Sequence, residues 1–178
     1  MSTTIDGSAS VTINSGAILG ITSGTAVAST SGTSIDFTSI PSWVKRITVM
    51  FNGVSTNGTS NVLVQIGTGG VPTTTGYSSA SGFINITSSV AGGITSTAGF
   101  IVFYGSATYI SGGNFTITNI SGNIWTFSGI IANLTTTAYT GQSAGSGSLS
   151  NTLNLVRITT VNGTDTFDAG SVNILYEG

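Results

Sequence analysis

Two aspartates stand three positions apart in Thr164–Gly170 (TDTFDAG): Asp165 and Asp168. They follow Asn162-Gly163, a dipeptide that readily reverses a chain. A close carboxylate pair beside a reversal suggests two chemistries. One is a Ca²⁺ site completed by backbone carbonyls. The other is the acid pair of a glycosidase. An EF-hand-type loop would carry more acids in register, and a hydrolytic pair needs one carboxyl of raised pKa inside a cleft. The simpler role is structural, with Asp165 capping the turn and Asp168 accepting hydrogen bonds from nearby amides. Asp165 and Asp168 are thus a weak Ca²⁺ candidate, and no other metal site, catalytic residue or cofactor is expected.

The second candidate chemistry is aromatic. Tyr77 and Tyr139 fall in two stretches rich in Gly, Ser and Thr, residues 67–82 and 134–150, which read as long loops. Loop tyrosines can stack on sugar rings, so Tyr77 and Tyr139 are the glycan-binding candidates, with Tyr104 and Tyr109 behind them. The alternative is that they pack on the end of the domain or against a neighbouring subunit.

Composition removes most other chemistry. The chain has no His and no Cys. The commonest general base, the commonest zinc ligand, Ser-His-Asp triads, thiolate chemistry and disulfides are therefore all absent. An enzyme is not expected. Charged residues make up 4% of the chain, against about 25% in ordinary soluble domains. Three cations cannot form a phosphate-tracking patch, so no nucleic-acid partner is expected. In so uncharged a chain, Arg46 and Arg157 are expected to pair with Asp36, Asp165 or Asp168 as buried or interfacial ion pairs, setting register or interface specificity more than stability. A weakly charged surface favours self-association, and a homo-oligomer is expected. Mean hydropathy is +0.40. No apolar run approaches the roughly 18 residues of a spanning helix, and no aromatic girdle recurs at strand ends, so membrane insertion is not expected. The N-terminus has no basic segment followed by an apolar one, the mark of a secretory leader.

The elements that must position these residues are strands. From Trp43 to Gly67, Lys45, Ile47, Val49 and Phe51 alternate with Arg46, Thr48 and Met50. After Asn52-Gly53 and Asn57-Gly58, Val62, Val64 and Ile66 alternate with Leu63 and Gln65. This reads as two antiparallel strands joined as a hairpin. Further strands are expected at 33–39, 83–87, 98–104, 115–120, 124–131, 149–160 and 166–176, with Gly92-Gly93, Gly112-Gly113 and Ser121-Gly122-Asn123 as turns. Trp125 and Phe127 share a face and should anchor the core. About nine or ten short strands without helical periodicity read as an all-β antiparallel β-sandwich, jelly-roll-like. Residues 1–28 are expected to be an N-terminal arm mediating assembly or attachment, and 29–178 the β-sandwich domain.

Several segments resemble a family of tailed-bacteriophage virion structural proteins. They are Ile40–Gly67 (IPSWVKRITVMFNGVSTNGTSNVLVQIG) and Arg157–Glu177 (RITTVNGTDTFDAGSVNILYE). Between them lie Thr74–Ser79 (TTGYSS), Thr97–Val102 (TAGFIV) and Gly122–Gly129 (GNIWTFSG). The likeness covers roughly residues 25–178. It implies a tail-fibre or appendage type of β domain, commonly trimeric. The short N-terminal segment fits a capsid decoration (cement) protein. The expectation is a non-enzymatic subunit on the particle exterior, assembled in the host cytoplasm. Its partners would be itself, as a homotrimer, and other capsid or tail proteins. The alternative is a tail-fibre receptor-binding protein that recognises host-surface glycan.

Overall fold

The computed structural model describes residues 12–13, 16–17, 20–86, 88–135 and 139–178. Sixteen strands follow in order: β1 (Thr12–Ile13), β2 (Gly16–Ala17), β3 (Thr22–Ser23), β4 (Val27–Ala28), β5 (Ser34–Thr38), β6 (Arg46–Thr56), β7 (Val62–Thr68), β8 (Val71–Pro72), β9 (Tyr77–Asn85), β10 (Ala91–Ser96), β11 (Phe100–Phe103), β12 (Ser111–Ser121), β13 (Ile124–Asn133), β14 (Tyr139–Ser148), β15 (Leu155–Thr160) and β16 (Phe167–Glu177). No helix occurs among the described residues, so none is long and apolar enough to cross a membrane. All strand pairs are antiparallel. A nine-stranded sheet runs β10-β9-β14-β13-β12-β6-β16, with β3 and β4 both along β16. A five-stranded sheet runs β11-β7-β15-β5, with β8 on β7. The two pack as the all-β sandwich expected from the alternation.

The central stretch differs from its expectation. β6 belongs to the large sheet and β7 to the small one, so Trp43–Gly67 is an arch between sheets and not a hairpin. β15 and β16 make the reverse crossing. β16 then pairs with β6 from Phe167↔Thr56 to Glu177↔Arg46, and β15 pairs with β7 from Leu155↔Gly67 to Thr160↔Val62. Two arches, far apart in sequence, interlock: β7 and β15 form the centre of the small sheet, and β6 and β16 lie side by side toward one end of the large one. Alternation fixes which face of a strand is apolar but not which strand lies beside it.

The interior is aromatic. Phe115 of β12, Phe127 of β13 and Phe100 of β11 stack in parallel, with centroids 4.9 and 4.7 Å apart. Phe51 and Tyr77 close the stack edge-on at 6.0 and 4.9 Å. Offset and edge-on contacts of this kind add to the area they bury. Trp125 and Phe127 are both buried, as expected from their shared face.

Both expected loops are largely strand. Residues 67–82 contain β8 and the start of β9, and residues 134–150 contain β14, in the interior of the large sheet (its 136–138 stretch lies outside the described residues). The inward positions of β14 are Tyr139, Gly141, Ser143, Gly145 and Gly147, and at Gly147 neighbouring rings fill the space a side chain would take. A Cβ at Gly147 would sit 2.9 Å from the Tyr77 ring. Gly92-Gly93, expected as a turn, lies inside β10, where the Phe83 ring covers Gly92. Much of the expected arm lies outside the described residues. Its last part joins the large sheet, where β3 and β4 pair along β16 and Gly24 N–H donates to Ile174 O at 2.8 Å.

Candidate functional site

Asp165 sits where the two arches turn, at one end of the sandwich. Its Oδ2 accepts the Ser60 N–H at 2.9 Å, and its Oδ1 accepts Asn162 Nδ2 at 2.6 Å. Asn162 Oδ1 accepts the amides of Thr164 and Asp165, at 3.1 and 3.2 Å, the geometry of an Asx turn. The other arch answers: Asn57 N–H donates to Thr166 O, and Asn57 Oδ1 accepts Thr166 N–H, both at 2.9 Å. Asn162 N–H reaches Ser60 Oγ at 3.0 Å. Gly58 leaves room for this contact, because a Cβ at that position would displace the Asp165 carboxylate from its donors. The Asn162 amide first, and the Ser60 N–H second, hold the Asp165 carboxyl below its usual range. Asp168 is exposed on β16 and shares none of these bonds.

This constellation is a latch between loops. Both Asp165 oxygens already face donors, which is unlike a carboxylate poised for a cation, and the lowered pKa is the opposite of what a glycosidase acid requires. No group of three or more acidic side chains lies together among the described residues. The role that emerges is the turn-capping one, extended across two loops. Its partners Ser60 and Asn57 were not visible beforehand, although the Asn-Gly dipeptides marked the turns that bear them.

Asp165→Asn is expected to lower Tm at neutral pH, because the new amide nitrogen meets donors where the carboxylate met them. The depressed pKa stabilises the fold above the ordinary aspartate value of about 4 and loses that contribution as pH falls through the lowered value. Thermal melts should therefore show the gap between variant and wild type narrowing as pH falls below the ordinary aspartate value. An unchanged gap would mean that the carboxylate charge is not what closes the latch.

Tyr77 and Tyr139 are 4% and 3% exposed, so neither offers a free ring face to a sugar. Tyr77 Oη accepts the Ile66 N–H at 2.9 Å and lies 3.1 and 3.0 Å from the carbonyls of Ile66 and Thr73. β11 pairs with β7 only as far as Phe100↔Val64, and the phenol takes over as partner for the next inward-facing residue. Burial pushes its pKa up to about 12, against the Ile66 bond. Tyr139 packs against Tyr109 and Phe83 at 5.3 and 5.8 Å. It too is pushed up to about 12, by burial first, with the nearby Ser111 hydroxyl opposing and Tyr109 adding. Tyr139 Oη, Ser111 Oγ and Trp125 Nε1 are buried without a partner of hydrogen-bond geometry. Among the tyrosines the exposed ring is Tyr104, resting edge-on on Phe83 at 4.9 Å.

The two arginines serve the sheets. Arg157 makes a two-point bond to Asp36 at 2.7 and 2.6 Å across the β15–β5 ladder, one of the expected pairings. Arg46 pairs instead with Glu177, its neighbour across the β6–β16 ladder. No charged residue lies between Arg46 and Arg157 in the chain. Strands β10, β9, β14, β13 and β12, adjacent in the large sheet, are consequently free of charge. Their outer face presents Ala80, Gln142, Ala144, Ser128, Ile130 and Thr116, with Ile130 62% exposed. A groove of about 390 Å³ on this face, between Ile84, Ile130 and Gln142, has no ionisable side chain. It lacks the convergent titratable groups of a catalytic cleft.

Comparisons with protein-family models, curated proteins and solved structures return no match.

Proposed function

We propose that this chain is a non-enzymatic structural subunit of a bacteriophage virion, mounted on the particle exterior and assembled with copies of itself. A capsid decoration (cement) protein or a fibre component both fit. The observation that carries the reading is the allocation of ionisable groups. Arg157 with Asp36, Arg46 with Glu177, and Asp165 with its loop amides hold the chain's own strands together. The widest exposed sheet face carries no charge across five strands. Groups placed this way suit a rigid body that offers area for packing. The motifs that carry the phage resemblance supply the two interlocked arches, so the resemblance rests on the segments that build the core. Recognition of host glycan through Tyr77 and Tyr139 has no support from their burial.

The test is location. Antibody labelling and electron microscopy of purified particles should find many copies over the head lattice for a decoration protein, or a few copies at the tail for a fibre component. Absence of the chain from purified particles would overturn the reading.

A further inference from the structure

A sandwich leaves sheet edges, and each edge is a template for another strand unless it is guarded. Three of the four edges here are guarded. Along β16 the edge is broken into the two-residue strands β3 and β4. β5 carries Asp36, fixed by Arg157. β11 is four residues long and its register shifts between Ile101 and Phe103. β10 has none of these devices. Its six residues, Ala91–Ser96 (AGGITS), contain no charge and no proline. They pair with β9 in unbroken register from Ala91↔Ile84 to Ser96↔Ser79, and with no other strand among the described residues.

We propose that β10 is a self-docking edge that pairs antiparallel with the β10 of a second copy about a twofold axis, joining two large sheets into one. Three observations select a second copy as the occupant. At a twofold, an edge meets its own residues, so a charged edge repels itself while Ala91–Ser96 does not. An uncharged edge offers a foreign strand no electrostatic register, the usual source of partner discrimination. The end of β9 and the flanking turn supply apolar area: Ile84 in β9 and Ile86 and Val90 in the turn are 56%, 63% and 57% exposed. Antiparallel pairing sets each copy's turn beside the far end of the other's β10. A six-residue ladder alone falls short of the roughly 1,000 Å² of a stable interface, and the two turns add to it from both sides. The inference rests on the proposed self-assembly, and it selects a dimer in place of the trimer that the phage resemblance implies, because an isologous edge closes on itself.

Light scattering and native mass spectrometry of the full chain at micromolar concentration test this. The wild type is expected to be a dimer. Ala91→Lys with Thr95→Lys, both exposed positions of β10, installs the missing guard and should weaken the dimer at least 100-fold with an unchanged far-UV spectrum. Should the doubly substituted chain misfold, hydrogen exchange on the wild type decides instead. The amides of Ala91, Gly93 and Thr95, which alternate with those bonded to β9, should be protected at high protein concentration and lose that protection on dilution. Ser128→Lys, in the middle of the outer face, should leave the dimer intact. A monomer, a trimer, a dimer indifferent to the β10 lysines, or a dimer broken by Ser128→Lys would each overturn the proposal. None of these outcomes bears on whether the chain is found in particles, so the virion reading fails or stands separately.

Discussion

Phe127→Ala is expected to lower the unfolding free energy by about 3–5 kcal/mol, the usual range for deleting a buried phenylalanine. Phe127 is 1% exposed and lies between two rings, Phe115 at 4.9 Å and Phe100 at 4.7 Å. Truncation removes both parallel contacts and leaves a cavity between the sheets. The rings on either side cannot close it together. Phe115 is held by the β12 ladder to β6 and β13, and Phe100 belongs to the opposite sheet. A loss of this size is a large fraction of the 5–15 kcal/mol typical of a domain. Urea titration should show a lower midpoint with an unchanged slope. Phe127→Leu should recover part of the loss, since it refills volume without restoring the stack. A loss below about 1 kcal/mol for Phe127→Ala would mean that the core is not organised around this stack.

Alkaline pH should unfold the protein through Tyr77 and Tyr139. Both phenols are raised by burial to about 12, above an unfolded value near 10. A raised folded pKa means that the stabilising contribution is complete below about pH 10. It is lost as pH climbs toward 12, because the unfolded chain releases the proton first. Each tyrosine contributes about 2–3 kcal/mol to this loss, so the two together approach the stability of a typical domain. Tyr77→Phe separates the effects. At neutral pH it should cost about 1–3 kcal/mol, because the Ile66 N–H loses its partner in a buried position. Between about pH 10 and 12 the variant should fall less steeply than the wild type. Denaturant midpoints at stepped pH measure both. Parallel slopes for the two proteins would show that the Tyr77 hydroxyl is not buried in solution.

The resemblance and the latch meet in the same residues. Ile40–Gly67 and Arg157–Glu177 stand far apart in the chain, yet each is one arch, and their turns are tied by Asn57, Ser60, Asn162 and Asp165. Gly58 and Asp165 are coupled sterically, since the carboxylate fills the space a Cβ would take. A motif repeated across relatives at these positions would therefore report folding and not catalysis.

Alternation along single strands was legible from the residues alone, because side-chain direction in a strand is local and has period two. It placed Ile47, Val49 and Phe51 inward, made Trp125 and Phe127 partners on one face, and marked β5 and β16. The scarcity of charge likewise pointed to ion pairs, and Arg157 with Asp36 is one of them, although it lies solvent-accessible across the β15–β5 ladder and not buried. Pairing was not legible. Nothing in Trp43–Gly67 distinguishes a hairpin from an arch, because that depends on partners in β15 and β16, which stand far along the chain, from Leu155 opposite Gly67 to Glu177 opposite Arg46. β14 and β10 were hidden for a second reason. Apart from Tyr139 and Ile94 their inward positions are Gly and Ser, residues that signal turns in isolation, and the rings over Gly92 and Gly147 belong to Phe83, Tyr77 and Phe100 on other strands. Only when those rings are in place does a glycine-rich segment become the interior of a sheet. The same packing removed Tyr77 and Tyr139 from the surface and left β10 as its unguarded edge.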